Sequence, residues 1–505
     1  MNKGRKSILN AITALVQMAA VSVIGLVLTK SIIIYFGSEY NGINSSVNQI
    51  VNAIMILEGG FTLASNVALF HPFSEKDYQT VNGIVAATRK RFIMVGIIAV
   101  VCGIAVAAVY PLFVHSEMPG WLISAVMVTV LLPACFNLGI VMKYRVLILA
   151  DQREYIISAI TTVAYVIGTG IAIIAIHKGA SLLIARIIIM FSLLANYVSI
   201  VLYCKKNYPW VRFDVEPLYE KIKGTKSVLV MKLTSMFYMS FPVIIISTLP
   251  ENGAMLASVY AVYKSVTTVV GGAIGAFINA PRLGFGALFA EDRKDDAEVL
   301  FNQYEKITCL ALSIVLGTTC MLIIPFVELY TIGVQDIRYT NNLMALLILM
   351  TVFFETVHIP SGQIIQMSGT FEPYRRIQSI SCIVLVILMV LGRALFGLYG
   401  IVGAVLGTAI LLAAMEIVYT GRRIFNRGIT SFLVNVVPCG AICSCMTIIG
   451  FSGIIKSKSY AVFFMQGIVS VFAVTVVAVL LFSAVDFKGM KDLAKRIWLT
   501  LKKNT

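Results

Sequence analysis

Apolar stretches of about twenty residues or more recur along almost the whole chain, at about 8–34, 43–70, 92–114, 121–142, 155–176, 179–204, 227–249, 254–281, 306–328, 342–367, 377–396, 398–420, 432–453 and 460–485. Each is long enough to cross the roughly 30 Å of a bilayer's hydrocarbon as a helix. They lack the period-two alternation of barrel strands, and lipid offers no partner to a bare peptide group, so the segments must satisfy their own hydrogen bonds as helices. The expectation is an all-α integral membrane protein with about fourteen transmembrane helices. A content of 59% hydrophobic and 13% charged residues agrees, because no soluble fold hides that much apolar surface. The first run is too long for a signal-peptide core and ends without a small-residue cleavage site, so it stays as the first span.

A formal charge of +16 raises the question of nucleic acid. The Lys and Arg residues, however, sit in short clusters between apolar runs, which is the pattern of membrane topology, and no nucleic-acid partner is expected. With the N-terminus inside, 31 of the 40 cations fall on the cytoplasmic side, against Lys178, Arg338, Lys456 and Lys458 outside. That asymmetry places both termini of a multi-pass membrane protein in the cytoplasm; the resemblance given below implies the bacterial cytoplasmic membrane. Nine cysteines are scattered through apolar segments, the nearest pair being Cys443 and Cys445, and read as packing residues. His71, His115, His177 and His358 lie on four separate segments, so no metal site is expected. There is no G-x-x-x-x-G-K-[ST] loop, no loop long enough for a catalytic domain, and no sign of a cofactor. Translocation is expected, not catalysis.

The chain echoes itself at an offset of 216 to 220 residues: Lys6-Ser7-Ile8-Leu9 with Lys226-Ser227-Val228-Leu229, Phe73-Ser74-Glu75 with Phe289-Ala290-Glu291, and Gly179-Ala180 with Gly397-Leu398. Several matches near one offset predict two six-helix bundles in the same orientation, residues 1–204 and 227–420, as in parallel-repeat transporters. The polar stretch 205–226 is then their cytoplasmic linker, and 421–485 adds two further helices. The tail, 486–505, spaces Lys488, Lys491, Lys495 and Arg496 among Phe487, Leu493, Ile497 and Trp498, predicting a basic amphipathic helix on the anionic inner leaflet.

A charge at mid-membrane depth costs about 2.5–3.5 kcal/mol on insertion scales, so each needs a partner, water or a ligand. Glu58 and Lys264 fall near the centres of the second and eighth spans, which occupy matching places in the two halves. They are candidate cavity residues, the alternative being a buried salt bridge of Glu58 with Lys264 or Lys30. Lys232, Lys30 and Arg393 lie nearer span ends, where their stems can snorkel. Arg186, two turns below the outer surface, is open to a packing or a functional role. Glu355 lies midway along the tenth span, shortly before His358 and Pro360; a carboxylate beside a histidine at a helix break suits an ion-coupling site, or simply a kink. Glu416 is near the inner end of its helix and is expected to reach water.

Three stretches then fit a family: 35–44 (Tyr-Phe-Gly-Ser-Glu-Tyr-Asn-Gly-Ile-Asn), 57–60 (Leu-Glu-Gly-Gly) with 73–77 (Phe-Ser-Glu-Lys-Asp), and 149–155 (Leu-Ala-Asp-Gln-Arg-Glu-Tyr). The sequence resembles the bacterial polysaccharide flippases, the Wzx-type branch of the multidrug/oligosaccharidyl-lipid/polysaccharide exporter superfamily. In the seventh helix Ser240-Phe241-Pro242-Val243 replaces the family's polar Thr-Asp-Asn-like stretch, so no site is carried over there. The resemblance implies a V-shaped, MATE-like two-lobed fold that moves undecaprenyl-pyrophosphate-linked oligosaccharide between leaflets by alternating access. It also implies polysaccharide polymerase and other biosynthesis proteins as partners, besides membrane lipids. Lys264, with Lys232, Lys30 and Arg186, would offset desolvation of the pyrophosphate, and Glu58 or Glu355 would carry a coupling charge. The rivals are an ion-coupled multidrug antiporter, which favours an acidic cavity; a lipid II flippase; and a membrane scaffold, whose buried charges would all be paired.

Overall fold

The computed structural model describes residues 3–58, 61–222, 225–278, 285, 288–289, 291 and 293–504. Among them there is no strand, as the apolar periodicity requires. The chain divides into two compact units, Met1–Ala261 with Val334–Ile337 and Val262–Gly333 with Arg338–Thr505.

In the first unit, α1 (Lys3–Phe36) packs on α7 (Glu154–His177), and α7 on α8 (Leu182–Asn207). The helices α2 (Ser38–Met55) and α3 (Phe61–Ser74) lie against α4 (Tyr78–Val109), α5 (Gly120–Phe136) and α6 (Met142–Ala150). α9 (Thr225–Ser247) and the start of α10 (Gly253–Ile278) complete it beside α2. Local chemistry sets the ends. The Asp77 carboxylate accepts from the Thr80 amide and starts α4, and the Ser181 hydroxyl does the same for Ile184 at the start of α8. A π turn over Asn137–Val141 joins α5, which carries Pro133, to α6. Ile43, Val47, Leu69, Val81, Ile84, Phe92 and Met127 form the buried centre.

The second unit is built on the long α11 (Lys294–Tyr330), which carries α12 (Asn342–Val357), α15 (Thr430–Phe451) and α16 (Tyr460–Val485). α13 (Ile359–Met367) and α14 (Phe371–Tyr419) complete it, and α17 (Phe487–Asn504) follows α16. Small residues bring backbones together, since lipid gives no hydrophobic drive for helix association. A Cβ on Gly450 would overlap the Cys320 carbonyl of α11. α14 is two helices, 371–396 and 398–419, turning at Gly397 (φ +55°). Gly392 and Gly400 touch across that turn, though in a straight helix eight residues would hold them about 12 Å apart.

Eleven helices among the described residues are long and apolar enough to cross a membrane, so this is a multi-span membrane protein. The stretch 372–424 holds two of the expected spans, one on each side of the Gly397 turn. The expected span 43–70 is broken by a 3₁₀ turn at Ile56–Glu58, just before the poor helix formers Gly59 and Gly60. α9 covers most of the expected span 227–249, with Met236–Ser247 as an apolar part of it among the described residues. Outward faces such as Ile97, Val101 and Ile104 of α4, or Phe464, Ile468 and Phe472 of α16, are exposed and apolar, as lipid contact demands.

Candidate functional site

The sequence-predicted residues are distributed over both units: Glu58, Lys30, Lys232 and Arg186 in the first, Lys264 and Glu355 in the second. Glu58 closes the 3₁₀ turn between α2 and α3 instead of sitting within a continuous helix, and accepts a hydrogen bond from the Thr62 hydroxyl across the break. Lys30 is half-buried on α1. Lys232 lies on α9, but its side chain falls outside the described residues. Arg186 is only 7% exposed on the inward stripe of α8, and its Nε has no hydrogen-bond partner among the described residues. Tyr165 of α7 is near enough to interact with its charge. Such a guanidinium is costly unless something polar meets it.

Two of the family-like stretches turn out to be junctions within the first unit. Gly37 takes φ +94°, and Asp336, from the loop after α11, accepts from the Ser38 amide at 2.6 Å and the Ser38 hydroxyl at 2.7 Å, capping α2. Glu39 accepts from the Ser116 hydroxyl and from the Glu117 amide at 2.7 Å. The Asn41 amide donates to the Ser258 hydroxyl at 2.7 Å, and a Cβ on Gly42 would overlap the Ala254 carbonyl, so α2 and α10 meet backbone to backbone. At the opposite end of α1, Asp151 receives Lys6 at 2.7 Å, Arg153 at 2.8 Å and the Tyr208 hydroxyl at 2.8 Å. Burial pushes the Tyr208 phenol up, reinforced by its bond to Asp151, so it stays a donor.

In the second unit Lys264 is half-buried on α10, where the Thr267 and Thr268 hydroxyls donate to its carbonyl at 3.0 and 2.8 Å. Glu355 has one carboxylate oxygen, Oε1, buried without a hydrogen-bond partner. The expected neighbour, His358, turns elsewhere: its Nδ1 lies 2.8 Å from Oε2 of Glu416. Glu416 therefore does not reach water. It is 1% exposed, with Gln378 Nε2 donating to its other oxygen at 3.0 Å. The sequence reading judged Glu416 by its distance from the helix end; the structure instead packs it against α13, where a Cβ on Gly362 would overlap Oε2. A second ion pair missed in the sequence joins Glu305 of α11 to Arg427 at 2.6 Å, both nearly fully buried. No group of His, Cys, Asp and Glu among the described residues is arranged to hold a metal ion.

The unit also contains a cavity of about 730 Å³ between α11, α12 and α15, lined by Leu316, Leu349, Phe353, Phe354, Cys443 and Ile448 among others. Its walls are mostly apolar and suit a hydrocarbon chain better than a polar solute.

No protein-family model and no curated protein sequence matches the chain. Solved structures do. The fold is similar to that of lipid II flippase MurJ in an inward closed conformation, with a TM-score of 0.72 at 12% identity, over 94% of this chain and 99% of that one. It is also similar to an inward-facing multidrug resistance MATE family transporter of the MOP superfamily, with a TM-score of 0.60 at 15% identity, over 85% of this chain and 99% of that one. A eukaryotic MATE transporter matches with a TM-score of 0.59 at 14% identity, over 86% of this chain and 99% of that one. The all-α architecture is thus the MurJ and MATE-like fold.

Proposed function

We propose that the chain is a flippase that carries undecaprenyl-pyrophosphate-linked oligosaccharide repeat units across the bacterial cytoplasmic membrane, by alternating access, for surface polysaccharide synthesis. The observation that carries this reading is the extent of the fold likeness: 94% of the chain fits a lipid II flippase, against 85–86% for MATE transporters. A lipid-linked cargo also explains two features that a soluble drug does not. Its hydrocarbon chain needs an apolar place at membrane depth, which the 730 Å³ cavity supplies. Its pyrophosphate needs cations, and the spans carry Lys264, Arg186, Lys30 and Lys232. The termini face the cytoplasm in this reading, where the basic tail rests on anionic lipid and the polymerase acts on the delivered product across the membrane.

A lipid II flippase is the second reading, favoured by the name of the MurJ structure. The test is a leaflet-exchange assay in vesicles containing the purified chain. A fluorescent undecaprenyl-pyrophosphate oligosaccharide is expected to become accessible to an external glycosidase at least tenfold faster than in empty vesicles. Exchange of lipid II alone would transfer the assignment to the second reading, and uptake of a cationic dye with no lipid exchange would sink both.

A further inference from the structure

The break between α12 and α13 occurs at His358, immediately before Pro360 at the start of α13. Three pieces of chain converge there. The α12/α13 junction brings His358, the first half of α14 brings Gln378, and the second half brings Glu416. The imidazole and the amide each take one oxygen of a carboxylate that has almost no solvent contact. One turn on, the Thr420 hydroxyl donates to the Ser361 carbonyl at 3.2 Å and ties the same two segments again.

A carboxylate this deeply buried is costly unless its charge is met by a positive partner or by a proton. Lys and Arg are both absent from its hydrogen-bond shell; Gln378 is neutral, and only His358 can change charge. With one proton shared, the pair is neutral overall, as imidazolium with carboxylate or imidazole with carboxylic acid. Without it, a net negative charge remains among apolar helices. Burial of the pair and proton occupancy are therefore the same equilibrium seen from two sides.

The surrounding helices offer little to replace that proton. α12 carries one other titratable group, Glu355, on the preceding turn, and α13 carries none. From α11 come Tyr304, committed to the Gln363 side chain and the Ile278 carbonyl, and Glu305, committed to Arg427. α15 brings only cysteines. On α14, Glu372 and Arg376 pair with one another in solvent, and Tyr419 lies one turn beyond Glu416. Histidine suits the role because small environmental changes move its charge within the physiological pH range.

We propose that His358 and Glu416, held by Gln378, form a proton-binding site whose occupancy sets the junction between α12 and α13. Proton binding stands on the geometry of this unit alone; its use as the coupling ion rests on the transport reading above.

The chain has only four histidines, which makes histidine-selective NMR practicable on the full-length protein in nanodiscs. The His358 resonance is assigned by its loss in His358→Gln and followed from pH 5 to 9. The expected result is a His358 signal whose response to pH changes in Glu416→Gln, while Glu372→Gln leaves it as in the native chain. Hydrogen exchange over residues 355–367 is expected to change with that response in the native chain and to become pH-independent in Glu416→Gln. A His358 signal indifferent to Glu416→Gln overturns the proposal, leaving the pair as a structural clamp. If Glu416→Gln fails to fold, Gln378→Leu serves in its place, since it removes one bond to the carboxylate and is expected to alter the same response. In the vesicle assay, an imposed pH gradient is expected to accelerate lipid exchange in the native chain only. Absence of all exchange by the native chain would count against the flippase reading, with the NMR result still deciding the proton site. Exchange that ignores the gradient would overturn the coupling role.

Discussion

Asp151 shows how one residue can join three segments. Lys6 comes from the start of α1, Arg153 from the turn before α7, and Tyr208 from the end of α8, and all three meet its carboxylate. Lys6 and Asp151 are 15% and 14% exposed, so removing the carboxylate leaves a poorly solvated cation and an unpaired phenol. Asp151→Ala is expected to cost about 1–3 kcal/mol, read as a fall of several degrees in the detergent melting temperature. Asp151→Asn keeps the acceptor for Tyr208 and should lose less. The sequence displayed this residue through the stretch 149–155 without revealing its partners, which lie 145 and 57 positions away. Glu416 was visible for the same reason as Glu58, as a carboxylate in an apolar run. Depth alone misjudged it, because the packing of α13 against α14 decides whether water arrives. That His358 faces Glu416 and not Glu355 was not legible either, since helix spacing describes neighbours on one helix and this pair spans two.

At the scale of elements, helices were readable from apolar runs but not their lengths, since α4 begins at Tyr78 and α11 at Lys294, well ahead of the runs at 92 and 306, and the breaks within them were readable only in part. Gly397, Pro360 and the Gly59-Gly60 pair announce breaks in the sequence, but the π turn at Asn137–Val141 has no glycine or proline within it apart from Gly139 and no such signal at its start. The tail helix was legible as a basic amphipathic segment, and the structure adds how it is held. Asp486, at its start, pairs with Lys306 of α11 and accepts from the Gly489 amide at 2.9 Å. The Lys306 bond, with that amide, holds the Asp486 carboxyl below its usual range. A depressed carboxyl pKa contributes stability that is present above the unfolded value and lost as pH falls through the folded one. The anchor is thus intact at neutral pH and released only in acid. Asp486→Asn is expected to release α17 at neutral pH, seen as faster tryptic cleavage at Lys488, Lys491 and Lys495. Cleavage at the native rate would mean that lipid contact alone retains the tail.

At the scale of the whole molecule, the two compact units do not follow the chain simply. The loop residues Val334–Ile337 belong with the first unit, through Asp336 on Ser38, and α10 passes from one unit to the other between Ala261 and Val262. Lys264 stands two residues beyond that passage, half-buried and midway along an apolar helix. A cation there costs about 2.5–3.5 kcal/mol to insert, so its position calls for a partner or a ligand. If it meets the pyrophosphate of the cargo, Lys264→Ala should abolish surface polysaccharide while the protein remains folded in the membrane at native abundance. Lys264→Arg should restore a substantial part, because a guanidinium also binds phosphate, though with a planar fork in place of a point charge. A purely structural lysine, held in a buried ion pair, predicts instead that Lys264→Ala lowers membrane abundance and that export falls only in step with it. Quantifying cell-surface polysaccharide and membrane abundance together for the two variants separates these cases, and normal export by Lys264→Ala removes Lys264 from the mechanism.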